Sequence, residues 1–144
     1  MTELLDKSSM NEQVRRLAVE IIRDKQNPIP AVYDWVKGHV AYVQDPIVDN
    51  EQSELFISPV KMANDYYAGN PLAGDCDDHA LLNTALLRSV GIKANVVLLD
   101  QHDDGYNHAI AQAFSEGTEK YINLDTTVSF PLGWEESYVR RMVI

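Results

Sequence analysis

The chain has 144 residues, 45% hydrophobic and 24% charged, with 12 basic against 22 acidic residues and a formal net charge of −10. That length supports one domain with a substantial core and no need of staples. So acidic a balance argues against nucleic acid or an anionic membrane as partner. No basic region followed by an apolar run opens the chain, and nowhere do about 18 apolar residues occur in succession. A single cysteine cannot form an internal disulfide, so a reducing, cytoplasmic setting is expected.

In chain order, Ser9 with Glu12 reads as a capping box, and Val14, Leu17, Ala18, Ile21 and Ile22 recur at helical spacing. This predicts an amphipathic helix over 10–26, ended by Pro28. Pro30 opens a second helix carrying Val32, Trp35 and Val36, with Gly38 near its end and a short strand at Val40-Ala41-Tyr42-Val43. Residues 44–57 have no apolar period and read as an exposed loop of the kind that lines a site. Ser58 and Pro59 restart a helix through Val60, Ala63 and Tyr67, and Gly69-Asn70-Pro71 with Gly74 forms a turn.

That turn delivers Gly74-Asp75-Cys76-Asp77-Asp78-His79, the most informative stretch of the sequence. Asp75 can cap a helix that begins at Cys76, with Asp78 as its capping partner. Ala80, Leu81, Leu82, Ala85, Leu86, Leu87 and Val90 give this helix a broad apolar face, and Gly91 is placed to stop it. The first turn of a helix offers unpaired backbone N–H groups and the positive end of the macrodipole, which favour a thiolate. A lone cysteine is more often a small buried hydrophobe, so position alone does not make Cys76 a nucleophile. Asp75, Asp77 and Asp78 would oppose a thiolate if they faced the sulfur, and are expected to point to solvent.

Ile92 to Leu99 has the continuous apolar character of a central strand, followed by a polar loop from Asp100 to Asn107. His108–Phe114 and Lys120–Asp125 flank the turn-rich Ser115-Glu116-Gly117-Thr118-Glu119 and read as a hairpin. An even loop of two or four residues pairs Ser115 with Lys120 and sets Ile110 opposite Asp125. His108, Ile110, Gln112 and Phe114 then share a face with Tyr121, Asn123 and Asp125. His108 and Asp125 become diagonal neighbours at roughly 7–8 Å between Cα atoms, within reach of an imidazole and a carboxylate. If the Cys76 helix packs on that face, thiol, imidazole and carboxylate line up as nucleophile, general base and orienting group. Alone, His108 could be a strand-end histidine and Asp125 a turn residue before Thr126-Thr127. Jointly the three converge on thiol chemistry.

At these residues the chain resembles the transglutaminase-like superfamily, relatives of the papain-like cysteine proteases. The matching text runs over 58–127: Ser58-Pro59, Gly74-Asp75-Cys76-Asp77-Asp78, Ala80-Leu81-Leu82, Leu86-Leu87, Gly91-Ile92, Asn107-His108-Ala109 and Leu124-Asp125-Thr126-Thr127. The resemblance implies an α+β fold in which the cysteine helix packs against an antiparallel sheet. It assigns Cys76, His108 and Asp125 as the catalytic triad of a cysteine peptidase or amidase working through a thioester on a peptide or protein substrate. Protein-crosslinking members usually carry a tryptophan after the cysteine and large extra domains. Here Asp77 follows, which favours hydrolysis over protein-glutamine transglutamination, with a non-catalytic scaffold of the same fold as the other alternative.

The whole chain, 1–144, then reads as one such domain, with N-terminal helices over 1–57, a catalytic core over 58–127 and a C-terminal segment over 128–144. For the oxyanion, the Cys76 backbone N–H is joined in the family by an upstream side chain, for which Asn70, Tyr66, Tyr67 and Trp35 are the candidates. No cofactor is expected. A metal site from His79, His102 and His108 with Asp103 and Asp104 matches no zinc spacing. Phe130-Pro131-Leu132-Gly133-Trp134 reads as a turn, and Tyr138 to Val143 as a last strand whose exposed edge could pair with another chain.

Overall fold

Three helices come first in the computed structural model, which describes residues 1–44, 47–48, 51–52 and 56–144. They are α1 (Thr2–Ser9), α2 (Glu12–Ile22) and α3 (Pro28–His39). The capping box expected at Ser9 is not formed: Asn11 caps α2, its Oδ1 accepting from Gln13 N at 2.9 Å and Val14 N at 3.2 Å. Ser9 instead donates to Leu5 O at 2.7 Å at the end of α1, a helix the apolar period did not announce. α2 stops at Ile22 rather than at 26, with Asp24 in the left-handed region at φ 62° just beyond it. α3 begins two residues before Pro30, because Asn27 caps it through a bond from Ile29 N at 3.1 Å and Pro28 takes the first turn.

Next come β1 (Val40–Tyr42), β2 (Ile47–Val48), β3 (Glu51–Gln52), α4 (Pro59–Tyr67), β4 (Leu72–Gly74) and α5 (Cys76–Ser89). Within the loop expected over 44–57, β2 and β3 pair antiparallel, while 45, 46, 49, 50 and 53–55 lie outside the described residues. β4 was read only as a turn; it pairs parallel with β1, Val40 opposite Leu72 and Tyr42 opposite Gly74, and Val43 N bonds Gly74 O at 2.8 Å. Ser58 caps α4 by accepting from Lys61 N at 3.0 Å, as its Ser-Pro start predicts.

The second half is an antiparallel sheet of β5 (Ala94–Asp100), β6 (His108–Ser115), β7 (Lys120–Leu124) and β8 (Arg140–Val143), in the order β7-β6-β5-β8. The hairpin has the expected register, Ser115 opposite Lys120 through Ala111 opposite Leu124. Its shared face also forms: Gln112 Nε2 donates to Asn123 Oδ1 at 2.8 Å, and the Phe114 and Tyr121 rings lie 5.3 Å apart. β8 is held beside β5 by Asp100, whose Oδ2 accepts from Arg140 at 3.0 and 2.6 Å.

α5 lies in the middle of all this, buried on every side from Asp78 to Leu87, with the other helices on one flank and the sheet on the other. Gly91, at φ 86°, ends it as expected. One expectation about α5 is corrected. It packs on the sheet face carrying Ala109, Ala111, Ala113, Val96 and Leu124, not on the face of His108, Ile110 and Gln112. Successive strand side chains alternate faces, and the alanine face is the one low enough for a helix backbone to approach closely. The opposite face is covered by the stretch before β8, including Glu135, Glu136 and Tyr138, over Val97, Leu99, Ile110 and Gln112. No helix among the described residues is long and apolar enough to cross a membrane.

Candidate active site

Cys76 is the first residue of α5, and its surroundings begin with the cap. Asp75 Oδ1 accepts from Asp78 N at 3.1 Å, and Asp78 Oδ2 accepts from Asp75 N at 3.0 Å, a reciprocal capping box. Asp78 Oδ1 also accepts from Ile57 N at 2.7 Å, tying the end of the preceding loop to the helix start. The expectation that these carboxylates point to solvent is therefore wrong for two of them: Asp75 and Asp78 are 6% and 1% exposed. Both oxygens of Asp78 and Oδ1 of Asp75 are taken by backbone N–H groups. Burial lifts the pKa of Asp78 to about 6, against the opposing pull of the Ile57 and Asp75 N–H bonds. The turn into the helix is tight enough that a Cβ added at Gly74 would sit 2.6 Å from Asp78 Cβ.

His108 opens β6 from the far face of the sheet, and Asp125 lies one residue past the end of β7. His108 Nε2 donates to Asp125 Oδ2 at 2.7 Å, and both side chains are largely buried. Asp125 Oδ1 accepts from Thr127 N at 3.0 Å and from the Thr127 hydroxyl, which fixes the carboxylate plane. Cys76 is close enough to the same imidazole to help raise its pKa. With Nε2 committed to carboxylates, Nδ1 is the ring atom left to face the sulfur. Sequence position thus places cysteine on one side of the sheet and histidine on the other, and they meet because His108 stands at the very end of its strand.

The electrostatics follow from this crowding. Burial opposes a charge on His108, but Asp125, Cys76 and Glu136 outweigh it and push the imidazole pKa up to about 12. Burial likewise disfavours the Asp125 carboxylate, yet bonds from His108, Glu136 and Thr127 hold it well below the usual range. The imidazolium is the stable form of the ring here, which is what a thiolate partner needs.

Tyr42 and Gln44 complete the near side. Burial raises the pKa of Tyr42, with Cys76 the next contributor, which puts its hydroxyl in the electrostatic range of the thiol. Gln44 lines an open cleft of about 770 Å³ together with Cys76, His108, Asp77, Tyr106 and Asn107. The β1–β4 pairing carries the chain past Gly74 at this point and so brings Gln44 to the same cleft as Cys76. The sequence held no sign of this, because a three-residue parallel pair has no periodic signature. Trp35, Tyr66 and Tyr67, three of the four upstream candidates, are occupied elsewhere: Trp35 stacks on His39 at 4.2 Å and meets Tyr66 at 5.1 Å, and Arg16 covers Tyr67. Asn70 closes the turn after α4, its N–H bonded to Asp65 O at 2.9 Å.

The metal set considered above is not assembled. His79 is buried on α5, its Nδ1 2.6 Å from Thr126 Oγ1, and His102 is exposed in the loop after β5 with Asp103 and Asp104. Among the described residues, the group with ligand atoms close enough to share a cation is His108, Asp125 and Glu136, within 4.8 Å of one another. Glu136 belongs to the least legible part of the sequence and was not anticipated. Its Oε1 lies 3.2 Å from His108 Nε2.

A family model described as the transglutaminase-like superfamily matches residues 15–126. Among solved structures, a candidate cysteine protease from Cytophaga hutchinsonii aligns over 91% of this chain and 42% of its own, at 21% identity and a TM-score of 0.61. A candidate protease from Parabacteroides distasonis aligns over 84% of this chain and 25% of its own, at 14% identity and 0.61. LapG of Legionella pneumophila aligns over 91% and 72%, at 18% identity and 0.55. The chain spans less than half the length of the first two, and at these identities the likeness is one of fold. A search of curated protein sequences finds no match. The fold, the order of its elements and the extent of the family match agree, and the chain belongs to the transglutaminase-like superfamily.

Proposed function

We propose that the protein is a cysteine-dependent acyl-transfer enzyme that hydrolyses peptide or amide bonds of a peptide or protein substrate, in keeping with a reducing, cytoplasmic setting. The observation that carries this reading is the bond of 2.7 Å from His108 Nε2 to Asp125, with Cys76 as the neighbour of the same ring. In that arrangement the Cys76 thiolate attacks the carbonyl carbon, and the carbonyl π electrons move onto oxygen. The Cys76 backbone N–H would receive that oxyanion, with the Gln44 amide of the same cleft as the candidate second donor. The intermediate collapses to a thioester as the His108 imidazolium gives its proton to the leaving amine. The neutral ring then takes a proton from water, whose oxygen displaces the thiolate and releases the acid. Asp125 keeps the ring oriented and its charge stabilised throughout.

The test is thiol reactivity followed by trapping. Iodoacetamide should alkylate Cys76 at pH 6 faster than it alkylates a free thiol, and His108→Ala should abolish the excess. Thiol-reactive peptide probes should leave an adduct on Cys76, read by mass spectrometry. Labelling at the rate of an ordinary thiol would favour a scaffold of the same fold, and transfer to an amine in place of water would favour a transglutaminase.

A further inference from the structure

Glu136 stands out as a buried carboxyl that the triad does not need. It is 8% exposed, reaches the site from the stretch before β8, and places Oε1 3.2 Å from the nitrogen that already donates to Asp125. Its other oxygen, Oε2, is buried with no hydrogen-bond partner. A buried acceptor left unpaired costs on the order of 1–3 kcal/mol. Stability alone would favour an apolar side chain of the same length there. The glutamate must therefore serve something else, and among its polar neighbours are His108 and Asp125.

Resting on the reading of the site as a thiol triad, we propose that Glu136 is a positioning residue, which brackets Nε2 of His108 with Asp125 and so keeps Nδ1 turned to Cys76. Two carboxyls this close in a buried site do not both ionise freely. Burial, with Asp125 alongside, raises the pKa of Glu136 against the pull of His108, while Asp125 is held low. Glu136 Oε1 thus accepts from the ring beside Asp125, and its raised pKa favours the neutral carboxyl next to the Asp125 carboxylate. A ring held on both sides of its Nε2–H bond cannot rotate away from the sulfur without breaking two contacts. The other titratable or charged groups facing Glu136 are Glu135, Tyr138 and Arg141, with Cys76 across the ring.

The experiment compares wild type with Glu136→Met and Glu136→Gln. Alkylation of Cys76 by iodoacetamide is followed from pH 5 to 9, with thermal unfolding measured in parallel. Methionine fills the same space without a polar atom, so the fold should be at least as stable as wild type. Its alkylation at pH 6 should fall about tenfold, the consequence of a shift of one pH unit in the onset of reactivity. Glutamine keeps an uncharged oxygen that can accept from Nε2, and should restore the rate to within about threefold of wild type with the wild-type onset. A methionine variant with the wild-type rate and pH profile, one that fails to fold, or a glutamine variant as slow as methionine would overturn the proposal. A wild-type thiol no faster than a free one would instead remove the reading of the site itself.

Discussion

The two faces of the sheet are built from the same strands and could hardly differ more. On the helix side, Ala109, Ala111 and Ala113 present a low surface to the apolar residues of α5, with His79 and Asn83 bonding Thr126 as the polar exception. On the other side, the same strand offers His108, Ile110 and Gln112 under a covering stretch that brings Glu136. One face is dry and holds the molecule together. The other joins a small apolar cluster of Val97, Leu99 and Ile110 to polar side chains that bond one another: Gln112 to Asn123, Arg141 to Gln112, His108 to Asp125. The site forms at the one edge where both arrive, Cys76 from the first and His108 from the second. The thiol is thereby fixed by close packing, and the imidazole by a hydrogen-bonded network at the edge of the core.

The sharpest way to break that division is at the network. Asp125→Asn keeps an oxygen for Thr127 but replaces the acceptor of the Nε2 proton with a group that can present N–H. The ring should lose its fixed tautomer and the largest support of its charge, with Cys76 and Glu136 left to hold the proton. Turnover on an amide substrate should fall roughly 10²–10⁴-fold, the scale seen when a triad carboxylate is neutralised. The measurement is kcat/KM with near-ultraviolet circular dichroism as the check on fold. Unchanged turnover would make Asp125 a turn residue bonded to Thr127 and nothing more.

At the dry face the effect should be on stability instead. Ala111 is fully buried against α5, and Ala111→Leu has no space to occupy. Overpacking of this kind costs about 1–3 kcal/mol. The matched change on the opposite face, Gln112→Leu, touches the Asn123 and Arg141 side chains and should stay within about 1 kcal/mol. Urea unfolding of both variants checks the contrast, and equal losses would mean that the two faces are packed alike. Gly74→Ala belongs with Ala111, since its Cβ would press on Asp78 and disturb the capping box that sets Cys76.

How much of this could be read from the residues divides along the same line. The register of the hairpin was legible because turn chemistry and alternation fix it, and it placed His108 beside Asp125. The start of α5 was legible from Asp75 and Asp78, whose side chains act within one turn. The face on which α5 packs was not, because Ala109, Ala111 and Ala113 alternate with larger residues, and a strand buried on both sides reads the same either way. Gln44 and Glu136 were out of reach for a different reason. Each is brought in by a chain crossing, the β1–β4 pair and the stretch before β8, whose path depends on tertiary packing and leaves no local period. Asn11 shows the smaller version of this problem, where two polar residues compete to cap one helix and only geometry decides.

The gentlest probe of the comparison is acid. Asp125 has a folded pKa held well below its ordinary value of 3.8, so it contributes stability that is present above about pH 4 and lost as pH falls through the folded value. His108 does not confuse this limb: its pKa is raised, so below its ordinary 6.5 the ring is protonated in folded and unfolded chains alike. Asp78 and Glu136 act with the opposite sign, since burial raises both and acid relieves the penalty. Asp78 is common to wild type and Asp125→Asn and cancels in the difference between the two, whereas Glu136, lifted in part by Asp125, cancels only in part and works against the shrinkage. That difference in unfolding free energy should amount to about 1–2 kcal/mol at pH 6 and shrink steadily toward pH 2. Ala111→Leu should show no such dependence, because no titrating group lies on the dry face of the strand. A gap for Asp125→Asn that persists undiminished in acid would mean that the carboxylate is held by packing rather than by its charge, and the distinction between a packed face and an electrostatic one would fail at the residue where it matters most.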